Sequence, residues 1–110
     1  MSTPLDAFHQ LDLRVGRVVR CEPNPGARKP AYRLWLDLGA LGVLGSSAQL
    51  TDLYQPDDLV GRLVVAVTNL GPRTVAGFRS DVLVLGVHDE AGRVVLLGVD
   101  RTVPPGERVY

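Results

Sequence analysis

Between Val64 and Ser80 the sequence runs VVAVTNLGPRTVAGFRS, and its polar half holds Asn69, Arg73 and Arg79 with no acid among them. A guanidinium is a planar fork of donors that matches an oxyanion such as phosphate two bonds at a time, and an asparagine offers both a donor and an acceptor. The chemistry on offer is recognition of an anion, with Asn69 either reaching the ligand or fixing the loop. The same residues also read as a connecting loop whose arginines are solvated.

The elements around this stretch decide how those side chains are held. Val64 to Val67 is a β-branched run suited to a buried strand. Gly71, Pro72 and Gly77 then break the pattern, and Asp81 restarts an apolar strand, leaving a short polar excursion with no room for a useful helix. Loops so placed on a rigid sheet are common binding sites.

Bond-making chemistry finds little support. His9 and His88 are far apart in sequence and lack cysteines at zinc spacing. Cys21 has no nucleophile signature and reads as a buried structural thiol. The paired acids Asp57-Asp58 and Asp89-Glu90 fall in turns, and no phosphate-binding loop, dinucleotide fingerprint or nucleophile elbow occurs. The chain reads as non-catalytic, with no metal and no cofactor.

At 110 residues the chain is one domain able to bury about two-thirds of its unfolded surface. One cysteine excludes an intramolecular disulfide. With no signal-like start and no long apolar run, the expectation is a soluble cytoplasmic protein that does not insert into membranes. Met1-Ser-Thr-Pro-Leu5 reads as a short tail. The formal charge is zero, which argues against a bulk polycation, but residues 14–33 carry +5, residues 62–80 carry +3 and the remainder −8. That division makes a positive face if the fold brings the two stretches together. Eleven of the twelve basic residues are arginine, which suits phosphate forks or reflects genome composition.

In chain order, Asp6 to Gln10 reads as a helical turn and Leu11 to Arg20 as a strand with Gly16 at a bulge or tight bend. Glu22 to Pro30 is turn chemistry carrying Arg28 and Lys29. Ala31 to Leu38 alternates, with Tyr32, Leu34, Leu36 and Leu38 on one face and Arg33, Trp35 and Asp37 on the other. Trp35 is either a packing residue or a stacking platform. Leu41 to Gly45 reads as a third strand. Ser46-Ser-Ala-Gln49 has capping-box spacing, predicting a short helix over Ser47 to Tyr54. Arg62 to Thr68, Asp81 to Val87 and Arg93 to Val99 supply further strands, the last two joined by a hairpin turn at His88 to Gly92. This pattern, all-β with one short inserted helix, matches a five-stranded Greek-key barrel of the OB type.

Three motifs carry a family resemblance. Phe8-His-Gln-Leu-Asp-Leu-Arg-Val-Gly-Arg-Val-Val, Ser46-Ser-Ala-Gln-Leu and Asn69-Leu-Gly-Pro-Arg-Thr-Val-Ala-Gly-Phe-Arg-Ser together resemble the tRNA-binding domain of methionyl-tRNA synthetase C-terminal extensions, in particular its stand-alone CsaA-like members, over about residues 8–110. The resemblance implies an OB-fold homodimer that binds tRNA by shape, without choosing an amino-acid identity. It also implies an export-related chaperone role toward unfolded or precursor polypeptides. Carried over by motif, Asn69, Arg73, Arg79 and Ser80 become RNA contacts, with Ser46, Ser47 and Gln49 beside them and the loop pair Arg28 and Lys29 in support. Arg79 stands where lysine is common, a change that keeps the charge.

Overall fold

The computed structural model describes residues 3–110; Met1 and Ser2 of the expected tail lie outside the described residues. The rest of that tail is structured. Thr3 caps helix α1 (Pro4–Gln10): its hydroxyl accepts from the Asp6 amide while the Asp6 carboxylate accepts from the Thr3 amide.

Five strands make one antiparallel sheet in the order β3 (Val43–Ala48), β2 (Tyr32–Asp37), β1 (Leu13–Pro23), β4 (Leu63–Val67), β7 (Leu83–Val84). The sheet curls into a nearly closed barrel. Its two ends meet where the amides of Asp81 and Val82 donate to the Gly45 carbonyl. Alternation sets the interior: Tyr32, Leu34, Leu36 and Leu38 are all buried, with Val18, Val64, Ala66 and Val82 facing them. The edge of β1 that β2 leaves bare is covered by the C-terminal segment, where Val15 exchanges hydrogen bonds with Gly106 and Glu107 and Val109 donates to Leu13.

Two expectations about this scaffold need correction. The bulge in β1 lies between Val18 and Arg20, not at Gly16. Gly16 is a close approach instead, since a Cβ there would sit 2.9 Å from a Leu38 methyl. The short helix is likewise displaced from Ser47–Tyr54. Strand β3 runs on through Ala48, pairing Ser46 with Leu34 and Ser47 with Arg33, and the inserted helix α2 is Pro56–Leu59. A ladder along a strand already in place satisfies more backbone than a local cap can, so the Ser46–Gln49 signal loses. Pro56 pre-sets the helical φ at N1, the Gln55 amide donates to the Asp58 carboxylate, and Leu59 is fully buried against the core.

The expected loop between β4 and β7 contains a hairpin, β5 (Arg73–Val75) and β6 (Phe78–Ser80). A second hairpin, β8 (Gly86–His88) and β9 (Val94–Leu96), follows β7. No helix among the described residues is long and apolar enough to cross a membrane.

Candidate nucleic-acid interface

The β5–β6 hairpin is built to be rigid. Its two-residue turn places Ala76 and Gly77 at φ 49° and 78°, the doubly positive geometry that matches strand twist. The Phe78 ring lies over Gly45, where a Cβ would stand 2.9 Å from the ring and 2.8 Å from the Arg79 carbonyl oxygen. The same ring meets Trp35 edge-on at 5.2 Å and takes the Arg33 guanidinium at 5.3 Å. Arg20 covers Trp35 at 4.7 Å, so the packing reading of Trp35 describes its surroundings. At the hairpin's end the Ser80 hydroxyl accepts from the Ser47 amide.

Between this hairpin and the loop that joins β1 to β2 lies a cleft of about 280 Å³ lined by Arg28, Lys29, Ser47, Gln49 and Arg73. Five of the nine residues singled out from the sequence meet there. Three cations surround the opening with no acid in the lining, and Ser47 and Gln49 add polar groups at the end of β3. A neighbouring hollow of about 240 Å³ shares Ser47 and Arg73 and adds Ser80, Asp81, Leu70 and Leu83. Arg28 and Lys29, read from the sequence as ordinary solvated charges or as ligands, share one opening with Arg73.

The remaining four residues have other surroundings. Register opposes Arg73 to Ser80 and Thr74 to Arg79, so the two arginines project from opposite faces of the hairpin. Arg79 is exposed and its Nε donates to Asp81 at 2.6 Å. Asn69 is a clamp: its Oδ1 accepts from the Asp12 amide and its Nδ2 donates to the Gln10 carbonyl, both at 2.8 Å. Ser80 is buried and spends its hydroxyl on the backbone. Ser46 points into the barrel, 1% exposed, and its Oγ has no hydrogen-bond partner among the described residues.

Sequence reasoning passed over Asn24, Arg33, Gly45 and Phe78, which hold the hairpin in place. The only local trace is Pro23-Asn24-Pro25, an asparagine fixed between two prolines. Next to that loop, burial pushes the Cys21 thiol up to about 11, aided by the Glu22 charge, which keeps it protonated and unreactive at neutral pH.

Comparison with known proteins follows the same outline. The chaperone CsaA of Bacillus anthracis str. Ames superposes with a TM-score of 0.89 at 45% identity, each chain covered in full. The CsaA chaperone protein of Picrophilus torridus gives 0.91 at 38%, again over the whole of both chains. The methionine–tRNA ligase of Methanopyrus kandleri is 37% identical over 105 residues, which is 96% of this chain and 15% of the ligase. The chain thus spans about 15% of the length of the curated ligases it matches. A family model described as "Putative tRNA binding domain" matches residues 13–108, and the chain belongs to that tRNA-binding domain family.

Proposed function

We propose that this chain is a non-catalytic tRNA-binding module that selects its ligand by shape. The observation that carries the reading is the acid-free cleft in which Arg28, Lys29 and Arg73 surround Ser47 and Gln49. Contacts to phosphate fix orientation and carry no sequence information, so a site dominated by cations reads the path of a backbone rather than an identity. Asn69 and Ser80 serve that site from behind, as loop clamp and hairpin latch, while Ser46 belongs to the barrel interior. Arg79 approaches RNA from the outer face of the hairpin. The working compartment is the cytoplasm, where tRNA is found.

The module acts as a homodimer in this reading. Leu5, Phe8 and Leu11 near the N-terminus are exposed, as is Tyr110. Tyr110 also lines a hollow of about 390 Å³ with Val15, Val99, Val103, Pro104 and Val109, where the charged Glu107 and Arg108 complete the lining. Exposed apolar side chains gathered at one end of the molecule invite a second copy.

The test is a gel shift with total tRNA across a salt series. Arg73→Ala should weaken binding and reduce the slope of log affinity against log salt by somewhat under one. Arg73→Glu should weaken it by at least about tenfold, on the order of 1.4 kcal/mol. A folded Arg28→Ala/Lys29→Ala/Arg73→Ala variant that binds tRNA with wild-type affinity and slope overturns the assignment. A second reading, a chaperone for unfolded or precursor polypeptides, is favoured by the same exposed apolar side chains and by the two CsaA relatives named as chaperones. It predicts suppression of aggregation that hardly changes with salt.

A further inference from the structure

Asn24 is buried at 5% exposure in a loop whose other polar residues face water. Its side chain joins three elements. Oδ1 accepts from Arg33 Nε on β2 at 3.0 Å; Nδ2 donates to the Val75 carbonyl in the hairpin at 3.3 Å and to Ser47 Oγ on β3 at 3.2 Å. Arg33 can only donate and a carbonyl can only accept, so the network admits one orientation of the amide. Its backbone closes the loop as well, the amide donating to the Ala31 carbonyl and the carbonyl accepting from Ala27. Arg33 extends the network to the hairpin tip by donating to the Ala76 carbonyl at 3.3 Å. At that tip the loop and the hairpin meet, since a Cβ on Gly26 would lie 3.8 Å from that of Ala76.

We infer that Asn24 is a positioning residue for RNA binding, a buried amide that locks the Arg73 hairpin to the Arg28–Lys29 loop so that the cleft exists before the ligand arrives. The inference rests on the cleft being the RNA site. Among the described residues no other side chain bonds the hairpin and both β2 and β3 from this loop. Truncating it leaves the Val75 carbonyl, Arg33 Nε and Ser47 Oγ each short of a partner behind the cleft, and lets the two cationic walls move apart. A binding-competent arrangement that is only partly populated raises the apparent dissociation constant by the reciprocal of its population. It does not change how many phosphates are held once the complex forms.

That difference separates Asn24 from a residue that touches RNA. Binding of total tRNA is measured across a salt series at a temperature where each variant is fully folded, with hydrogen exchange followed on the free proteins. Asn24→Ala should weaken binding by about tenfold at every salt concentration, as expected if the competent population falls to about a tenth, and leave the salt slope at its wild-type value. Exchange of the amides of residues 73–80 should quicken in that variant. Arg73→Ala should flatten the slope without quickening exchange. Wild-type affinity in Asn24→Ala beside weakened binding in Arg73→Ala overturns the inference, and so does a slope flattened as much as in Arg73→Ala. Unchanged binding in Arg73→Ala and in Arg28→Ala would instead remove the cleft as the RNA site, and the inference with it. Should Asn24→Ala fail to fold, exchange in the unaltered protein decides: the hairpin amides and those of Asn24 and Ala27 should open in one step, and independent opening overturns the inference.

Discussion

Ser46 and Ser47 are adjacent and face opposite ways, because successive residues of a strand point to opposite sides. Ser47 reaches the cleft and accepts from Asn24, whereas Ser46 is sealed inside with a hydroxyl that finds no partner among the described residues. Their polarity was legible in the sequence; their facing was not, since the capping-box spacing placed them at the start of a helix over Ser47 to Tyr54. Ser46→Ala should therefore raise stability by on the order of 1 kcal/mol in urea unfolding and leave tRNA affinity unchanged. Weaker tRNA binding by the folded variant would return Ser46 to the interface. Asp12 is the opposite case, an acid with many partners: Thr68 Oγ1 at 2.6 Å, Arg14 Nε at 3.0 Å and Arg108 Nε at 3.5 Å. The Thr68 hydroxyl, then Arg14 and Arg108, hold its carboxyl below the usual carboxylate range against the opposing push of burial. A depressed value stabilises the fold fully above the unfolded-state value of about 3.9, and that stability is lost as pH falls through the lower folded-state value. Urea midpoints between pH 7 and pH 3 should show this loss, and Asp12→Asn should be less stable at pH 7 with a flatter acid limb. An identical acid limb in the variant would mean that Asp12 does not contribute.

Strand β2 was the most legible element, because its alternation is uninterrupted and one face is wholly buried. The hairpin was the least legible. Each of its strands is only three residues long, and its stability comes from distant partners: Gly45 and Trp35 through Phe78, and Asn24 and Arg33 through backbone carbonyls. No local pattern encodes such contacts, so Arg73 and Arg79 looked like equals on one loop until register placed them on opposite faces. The turn carries one local fault. Ala76 holds φ 49°, a region in which an alanine Cβ crowds the following carbonyl at a cost of about 1–2 kcal/mol, while Gly77 beside it does not. Ala76→Gly should relieve that crowding and slow exchange of the hairpin amides, with global stability changed little because glycine also loses more backbone freedom on folding. Faster exchange of the hairpin in Ala76→Gly would show that the alanine methyl, near Gly26, contributes more by packing than it loses in strain.

At the scale of the whole molecule the two basic stretches do not form one continuous face. Arg28 and Lys29 join Arg73 at the cleft, while Arg17 and Arg62 line a separate hollow with Arg101 and Asp100. Arg14 and Arg20 pair with Asp12 and Glu22. Total charge and stretch-by-stretch charge were legible in the sequence; this partition depends on which strands become neighbours. The exposed apolar side chains near the two termini have their own test. Because residues 106–109 also cover β1, deleting them would expose a strand edge, so point changes are the cleaner probe. Leu5→Asp combined with Tyr110→Asp should shift sedimentation from dimer toward monomer at micromolar concentration with the fold intact; a wild-type protein that sediments as a monomer there removes the homodimer. Trp35 is the only tryptophan in the chain, and its ring is held between Arg20 and the Phe78 of the hairpin. Its fluorescence is consequently a built-in optical gauge of hairpin docking: detachment would bring water to the indole and shift its emission to longer wavelength, so the seating of the hairpin can be followed in real time, without a label, as RNA arrives.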